Sequence, residues 1–284
     1  MRVQTMQRAH VNGIDLEYEV TGQGDPVLFI SPVVADGFHP LLSEPALALR
    51  YQLITYHKRG WAGSTHTTAP VNVGDHVADA AALLAHLGIR RAHIAGHSSG
   101  AAVAAELARQ RPEMVHTLAL LELSLLSAPA ATTFMQKARP ALDAYAGGDP
   151  ETALALFMTA VSGLEWDQCR TLLDSRVPGA VAAAIADVDT FFGIELPALG
   201  SWTFGAAEAR SICRPVLSVH GTETGPLWVE IAGLLRSWIP QVEECTIDGA
   251  GHLLQIQRPE AVAQALADFF GRHASEKTTA QGTL

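Results

Sequence analysis

The stretch "AHIAGHSSGAAVAAELARQRP" (residues 92–112) decides the fold, because it changes character within six small residues. Residues 92–96 form a short apolar run without helical period, the pattern of a strand buried on both faces. From Ser99 onward the chain is rich in alanine, and Pro112 stops it, as a helix requires. The junction, Gly96-His97-Ser98-Ser99-Gly100, has the spacing G-x-S-x-G in the strand-before, helix-after context that makes such a serine reactive. The backbone crowds at a sharp strand-to-helix turn, so the positions two before and two after Ser98 must be small. Ser98 is centred between the glycines and is the candidate nucleophile. Ser99 opens the helix, where free N–H groups and the positive end of the dipole can hold an oxyanion. The competing reading is a plain glycine-bounded turn.

Outward from this junction, short apolar runs alternate with helical ones. Strands are expected at 26–31, 52–57, 92–96, 117–123, 215–221 and 243–248. A hairpin turned at Asn12-Gly13 precedes them. Helices are expected at 74–88, 99–112 and 258–272. This alternation predicts an α/β class: a doubly wound, mostly parallel sheet. Between about 124 and 210 the pattern holds helical segments and no good strand. We therefore expect a core of residues 1–123 and 211–273, a helical cap insertion over 124–210, and a frayed polar tail over 274–284.

Composition narrows the function classes. The chain has 284 residues, 48% of them hydrophobic, and a formal net charge of −10. That supports a full core, and the absence of a basic run argues against nucleic acid or anionic membrane as partner. The N-terminus lacks a signal-type apolar stretch, and no run is long enough to span a membrane. Three scattered cysteines suggest a reducing compartment, so a cytoplasmic location is expected. No metal-type spacing, P-loop or G-x-G-x-x-G occurs, and no cofactor is implied. Whether the chain forms a homodimer is left open.

A serine needs a base, and the base needs an orienting acid. Twelve histidines compete. His252, in "DGAGHLLQIQRPE", follows the last strand and precedes the last helix. Strand C-terminal ends of a parallel sheet share one edge, which places it with Ser98. His97 and His220 are read as structural neighbours of the site.

With "GHSSG", "KRGWAGS" (58–64, similar to an R-G-x-G-x-S turn), the helical insertion and "GAGH" in view, the chain resembles the α/β-hydrolase superfamily over about residues 10 to 272. Most members carry the acid as an aspartate just after the seventh strand. Here Thr222-Glu223-Thr224 follows "SVHG", so Thr224 stands where that aspartate is expected. Two carboxylates could substitute, Glu223 and Glu122. Some branches put the acid at the end of strand six, among them haloalkane dehalogenases and the fungal lactonases that open zearalenone. Glu122 is similar to these in its spacing from Ser98. A charge in the apolar run "TLALLELSLL" is costly unless paired, which favours Glu122. A dehalogenase is excluded, since its nucleophile is an aspartate. The usual His-Gly after the third strand is replaced by Ser31-Pro32-Val33-Val34, so the second oxyanion donor implied by the resemblance is Val33 N–H.

The insertion concentrates Phe134, Phe157, Met158, Trp166, Phe191, Phe192 and Trp202, although aromatics make up only 6% of the chain. Either they line an apolar pocket over Ser98, or they hold the cap helices on the sheet. The expected function is a serine hydrolase of a hydrophobic small-molecule ester or lactone. The alternatives are C–C bond hydrolysis or cofactor-free perhydrolysis on the same triad, and a silent receptor for a small ligand.

Overall fold

The computed structural model describes residues 6–274. Eight strands form one sheet: β1 (Gln7–Val11), β2 (Ile14–Gly22), β3 (Asp25–Ile30), β4 (Tyr51–Tyr56), β5 (Ala92–His97), β6 (Val115–Leu121), β7 (Val216–Gly221) and β8 (Glu243–Ile247). Their order is β1-β2-β4-β3-β5-β6-β7-β8. The β1–β2 hairpin turns at Asn12 and Gly13, both with positive φ, as a tight hairpin turn demands. β2 pairs antiparallel with β1 and β4; from β4 to β8 every pairing is parallel.

The parallel strands end at one edge. Ile30 stands beside Gly96, His97 beside Leu121, Leu121 beside Val219, and Gly221 beside Ile247. The loops after β3, β5, β6, β7 and β8 therefore all leave from the same side, where open α/β sheets hold their ligands. β6 stops earlier than its apolar run suggests. Glu122 adopts φ 44°, which breaks the extended chain immediately after Leu121.

Helices α1 (Val73–His86) and α2 (Ser99–Gln110) cover one face, matching their sequence periods. α1 starts on a reciprocal cap between Asn72 and Asp75. Between β6 and β7 the described residues contain helices and turns only. These are α3 (Ala131–Ala146), α4 (Pro150–Ser162), α5 (Trp166–Arg176), α6 (Ala180–Ala186) and α7 (residues 188–201), followed by a short turn of helix at Ala206–Arg210. A wide π turn interrupts α7 at Phe191–Glu195. Two helices then complete the sheet's flanks: α8 (Pro226–Trp238), which the sequence reading passed over, and α9 (Pro259–Arg272).

The core divides between the two sheet faces. One cluster runs from β2, β5 and α2 into the insertion through Leu125, Phe157 and Phe191. The other joins Phe29, Leu217 and the buried side of α9. The insertion thus shares the core of the sheet. Among the described residues no helix is long and apolar enough to cross a membrane. The polar tail expected over 274–284 lies, from residue 275 on, outside the described residues.

Candidate active site

Ser98 sits between β5 and α2 with φ 54° and ψ −119°, a strained conformation for a residue with a side chain. Its neighbours explain how the turn holds. A Cβ at Gly96 would lie 2.4 Å from Gly100 O, and one at Gly100 would lie 2.0 Å from Ile30 O. Both glycines are thus required by close backbone approach. Ser98 N–H donates to Leu121 O on β6, which ties the turn to the next strand end.

The end of β6 supplies the carboxylate. Glu122 is 3% exposed, and its charge is compensated by three donors. Gly221 N–H reaches Oε1 at 2.9 Å, while Thr224 Oγ1 and His252 Nδ1 reach Oε2 at 2.8 and 2.7 Å. A carboxylate only accepts, so Nδ1 carries the proton and Nε2 is free to accept. Ser98 Oγ lies 3.1 Å from that Nε2. Ser98, His252 and Glu122 thus form one unbroken hydrogen-bonded relay. Glu223, the other carboxylate considered from the sequence, is exposed and has its backbone N–H on Ala250 O.

His252 rides on the loop after β8, where Gly249 makes the turn at φ 62°. Of the two histidines expected to be structural neighbours of the site, His97 plays a definite part here. His97 Nε2–H donates to His252 O at 2.8 Å, and Gln255 Nε2 donates to His97 Nδ1 at 2.9 Å. Burial, then the nearby His252, holds His97 well below its ordinary pKa, so it stays a neutral brace for that carbonyl. His220 instead faces Thr246 on β8 and does not touch the relay.

The relay opens into a cavity of about 670 Å³, open solvent at its mouth included. Val33, Ser98, Ser99 and His252 border it, so both expected oxyanion donors belong to residues at the cavity floor. Of the seven residues expected to line a pocket, Phe134, Phe157, Met158 and Phe191 do. The other three do not. Phe192 stacks on Tyr145 at 4.9 Å, away from the cavity. Trp202 stacks on Phe204 and donates to Glu106 on α2, anchoring the insertion to the core. Trp166 begins α5 half-exposed and packs against the core cluster from outside. An aromatic side chain removes apolar surface from water equally well in a helix contact or a cavity wall, so sequence alone does not separate the two.

The site also holds residues the sequence reading did not mark. Ser124 Oγ lies 3.0 Å from Ser98 Oγ. The Trp228 ring lies 4.0 Å from the His252 ring, on the first turns of α8. Behind Ser99, buried Lys58 pairs with Glu195 of the π turn at 2.7 Å, and Trp61 Nε1 donates to the same oxygen at 2.9 Å. Burial draws the Lys58 ammonium below its ordinary pKa. Burial would raise the Glu195 carboxyl, but the Lys58 charge brings it below its ordinary value, so the pair is ionised. Thr190 donates to Gly60 O and Ala62 N–H to Asp187, so the turn at 58–64 fastens this part of the insertion. Lys58 within "KRGWAGS" was the available signal, since a lysine in a buried turn needs a partner. Among the described residues no group of three or more His, Cys, Asp or Glu is placed to hold a metal.

Comparison with known proteins agrees with this fold. BpoC of Mycobacterium tuberculosis, provisionally named a non-heme bromoperoxidase, is 33% identical over 269 residues, 90% of this chain and 98% of its own length. An esterase from Thermogutta terrifontis superposes with a TM-score of 0.78 at 20% identity, over 95% of this chain and all of its own. An enol-lactonase from Burkholderia xenovorans gives 0.72 at 18% identity, over 93% of this chain and all of its own. The profile of the alpha/beta hydrolase fold matches residues 32–259, from the loop after β3 to the start of α9. With a serine on the strand-five turn, the sheet order that surrounds it and this match across most of its length, the chain belongs to the alpha/beta hydrolase family and is a hydrolase of that family.

Proposed function

We propose that this hydrolase cleaves a carboxylic ester or lactone of a hydrophobic small molecule through an acyl-enzyme on Ser98. The observation that carries the reading is the relay Ser98–His252–Glu122 opening into an apolar cavity. His252 Nε2 takes the Ser98 proton while Oγ attacks the carbonyl carbon. The carbonyl oxygen gathers charge against the N–H groups of Ser99 and Val33. His252 then protonates the leaving alcohol. Water, giving its proton to His252, attacks the acyl-enzyme and frees Ser98. Glu122 orients the imidazole and balances its charge. Among the described residues the cavity lining holds no Lys or Arg, so a carboxylate or phosphate on the substrate would lack a counter-ion from them.

A fluorophosphonate probe should label the chain once, at Ser98, and Ser98→Ala should abolish both labelling and hydrolysis of a panel of aryl and alkyl esters and lactones. Labelling elsewhere, or turnover that survives Ser98→Ala, defeats the reading.

The similarity to BpoC favours one other reaction on the same relay. Hydrogen peroxide in place of water would attack the acyl-enzyme and release a peracid, which oxidises bromide by two electrons without a cofactor. Bromination of a diketone with acetate, peroxide and bromide tests it, and Ser98→Ala must remove that activity.

A further inference from the structure

Ser98 has one hydroxyl proton and two polar neighbours. Nε2 of His252 is 3.1 Å away and can only accept, because Nδ1 holds the proton that Glu122 receives. If Ser98 is to be activated, its proton points to His252. The 3.0 Å contact between Ser98 Oγ and Ser124 Oγ then has a defined sense: Ser124 donates and Ser98 accepts.

Ser124 is held in place by backbone. Glu122 turns the chain at φ 44° directly after β6, and two residues later Ser124 N–H donates to Ser98 O at 3.1 Å. A carboxylate at the end of β6 therefore brings the following residues back across the nucleophile. Ser124 also borders the cavity, where the lining is otherwise mostly apolar.

We propose that Ser124 is a further catalytic residue that acts when the acyl-enzyme breaks down. The inference rests on the acyl-enzyme reading above. In that step water forms a bond to the acyl carbon and its proton passes to His252 Nε2. The bond from the acyl carbon to Ser98 Oγ then breaks, its electron pair stays on Oγ, and His252 returns the proton there. Ser124 keeps its own proton throughout. Its O–H donates to Ser98 Oγ while negative charge gathers on that atom, the case in which a hydrogen bond is strongest. During attack on an activated ester the same bond gives little, since it draws electron density from the nucleophile.

The test is pre-steady-state hydrolysis of a p-nitrophenyl acyl ester by wild type, Ser124→Ala, Ser124→Thr and Ser98→Ala, with intact mass spectrometry of the acyl-enzyme. For Ser124→Ala, kcat and KM should fall together by about tenfold or more, with kcat/KM within about threefold of wild type. The acyl-enzyme should accumulate, and Ser124→Thr should restore turnover. A lesion that merely loosened the site would lower kcat/KM and leave no acyl-enzyme. That pattern, or wild-type kcat in Ser124→Ala, overturns the role of Ser124 while acylation of Ser98 stands. If wild type is never acylated, the acyl-enzyme reading fails and takes this inference with it.

Discussion

Thr224 donates its hydroxyl to Glu122 Oε2 at 2.8 Å, the same oxygen that accepts from His252 at 2.7 Å. The residue standing where most of the superfamily carries its aspartate thus donates to the carboxylate that meets His252. This joins the ends of β6 and β7 at the carboxylate, which also receives Gly221 N–H. Glu122→Gln keeps the shape but presents the wrong partner to His252, and kcat should fall by about a thousandfold or more. Thr224→Val removes one hydrogen bond to a charged group, and about a tenfold loss is expected. Glu223→Gln should turn over like wild type. Steady-state kinetics on one aryl ester ranks all three, and a larger loss for Glu223→Gln than for Glu122→Gln contradicts the structure.

His57 lies between two carboxylates, with Nδ1 3.1 Å from Glu17 and Nε2 2.8 Å from Asp36. A neutral ring can donate to only one of them. Burial works against the imidazolium, but Asp36 and then Glu17 outweigh it and raise His57 above its ordinary 6.5. Arg8 also faces Glu17, and His39, lowered below its ordinary 6.5 by burial, also faces Asp36. The stability His57 contributes is complete below pH 6.5 and is lost as pH rises through its raised value. Glu17 and Asp36 are penalised by burial yet sit below their ordinary 4.5 and 3.8, so their share is lost on acidification. Urea unfolding of wild type should show stability declining as pH rises through the raised His57 value, and declining separately below about pH 6.5, where His76, His93 and His97, lowered by burial, take up protons only in the unfolded chain. His57→Gln should be less stable at pH 6 and lack the alkaline decline. An alkaline decline of equal size in the variant would assign it to another group.

Lys58 and Glu195 form a buried pair whose halves belong to the core turn and to the insertion. Removing one charge strands the other, so Glu195→Gln or Lys58→Met should cost about 3–5 kcal/mol of stability. Replacing both, as Lys58→Met with Glu195→Gln, which still accepts from Trp61 Nε1, should recover most of that loss. Denaturant midpoints for the two single variants and the double variant measure the coupling. Additive losses would mean the two charges do not depend on each other.

Phe157 and Phe191 meet at 4.6 Å between ring centroids and both line the cavity. Phe157→Ala should enlarge the acyl site and shift the ratio of kcat/KM for a bulky aryl-acyl ester over an acetyl ester upward by about tenfold. Trp202→Phe, at a residue outside the cavity, should leave this ratio unchanged and lower the melting temperature. A chain-length panel with a thermal melt separates the two, and an unchanged ratio in Phe157→Ala would mean the acyl group lies elsewhere.

Local pattern carries much of this molecule. The serine turn was legible because G-x-S-x-G, a strand before and a helix after are all short-range features, and the crowding at Gly96 and Gly100 is the physical need behind them. His252 was legible through strand order, since parallel strands end on one edge. Glu122 was legible as a charge that an apolar run could not leave unpaired. Other properties arise only where distant segments meet. Which aromatics face the cavity depends on how α3, α4 and α7 pack, and Phe192 and Trp202 are as apolar as those that do. Ser124, Trp228 and Glu195 are ordinary in sequence. Their roles exist because the turn at Glu122, the first turns of α8 and the π turn of α7 come within hydrogen-bond or ring-contact distance of the same few atoms. The sequence by itself therefore determined the fold class and singled out Ser98 and His252, through periodicity and steric rules acting along the chain. Tertiary structure decided the acid's partners, the lining of the cavity and the second hydroxyl at Ser98, because these depend on contacts between segments more than 20 residues apart that no local rule encodes.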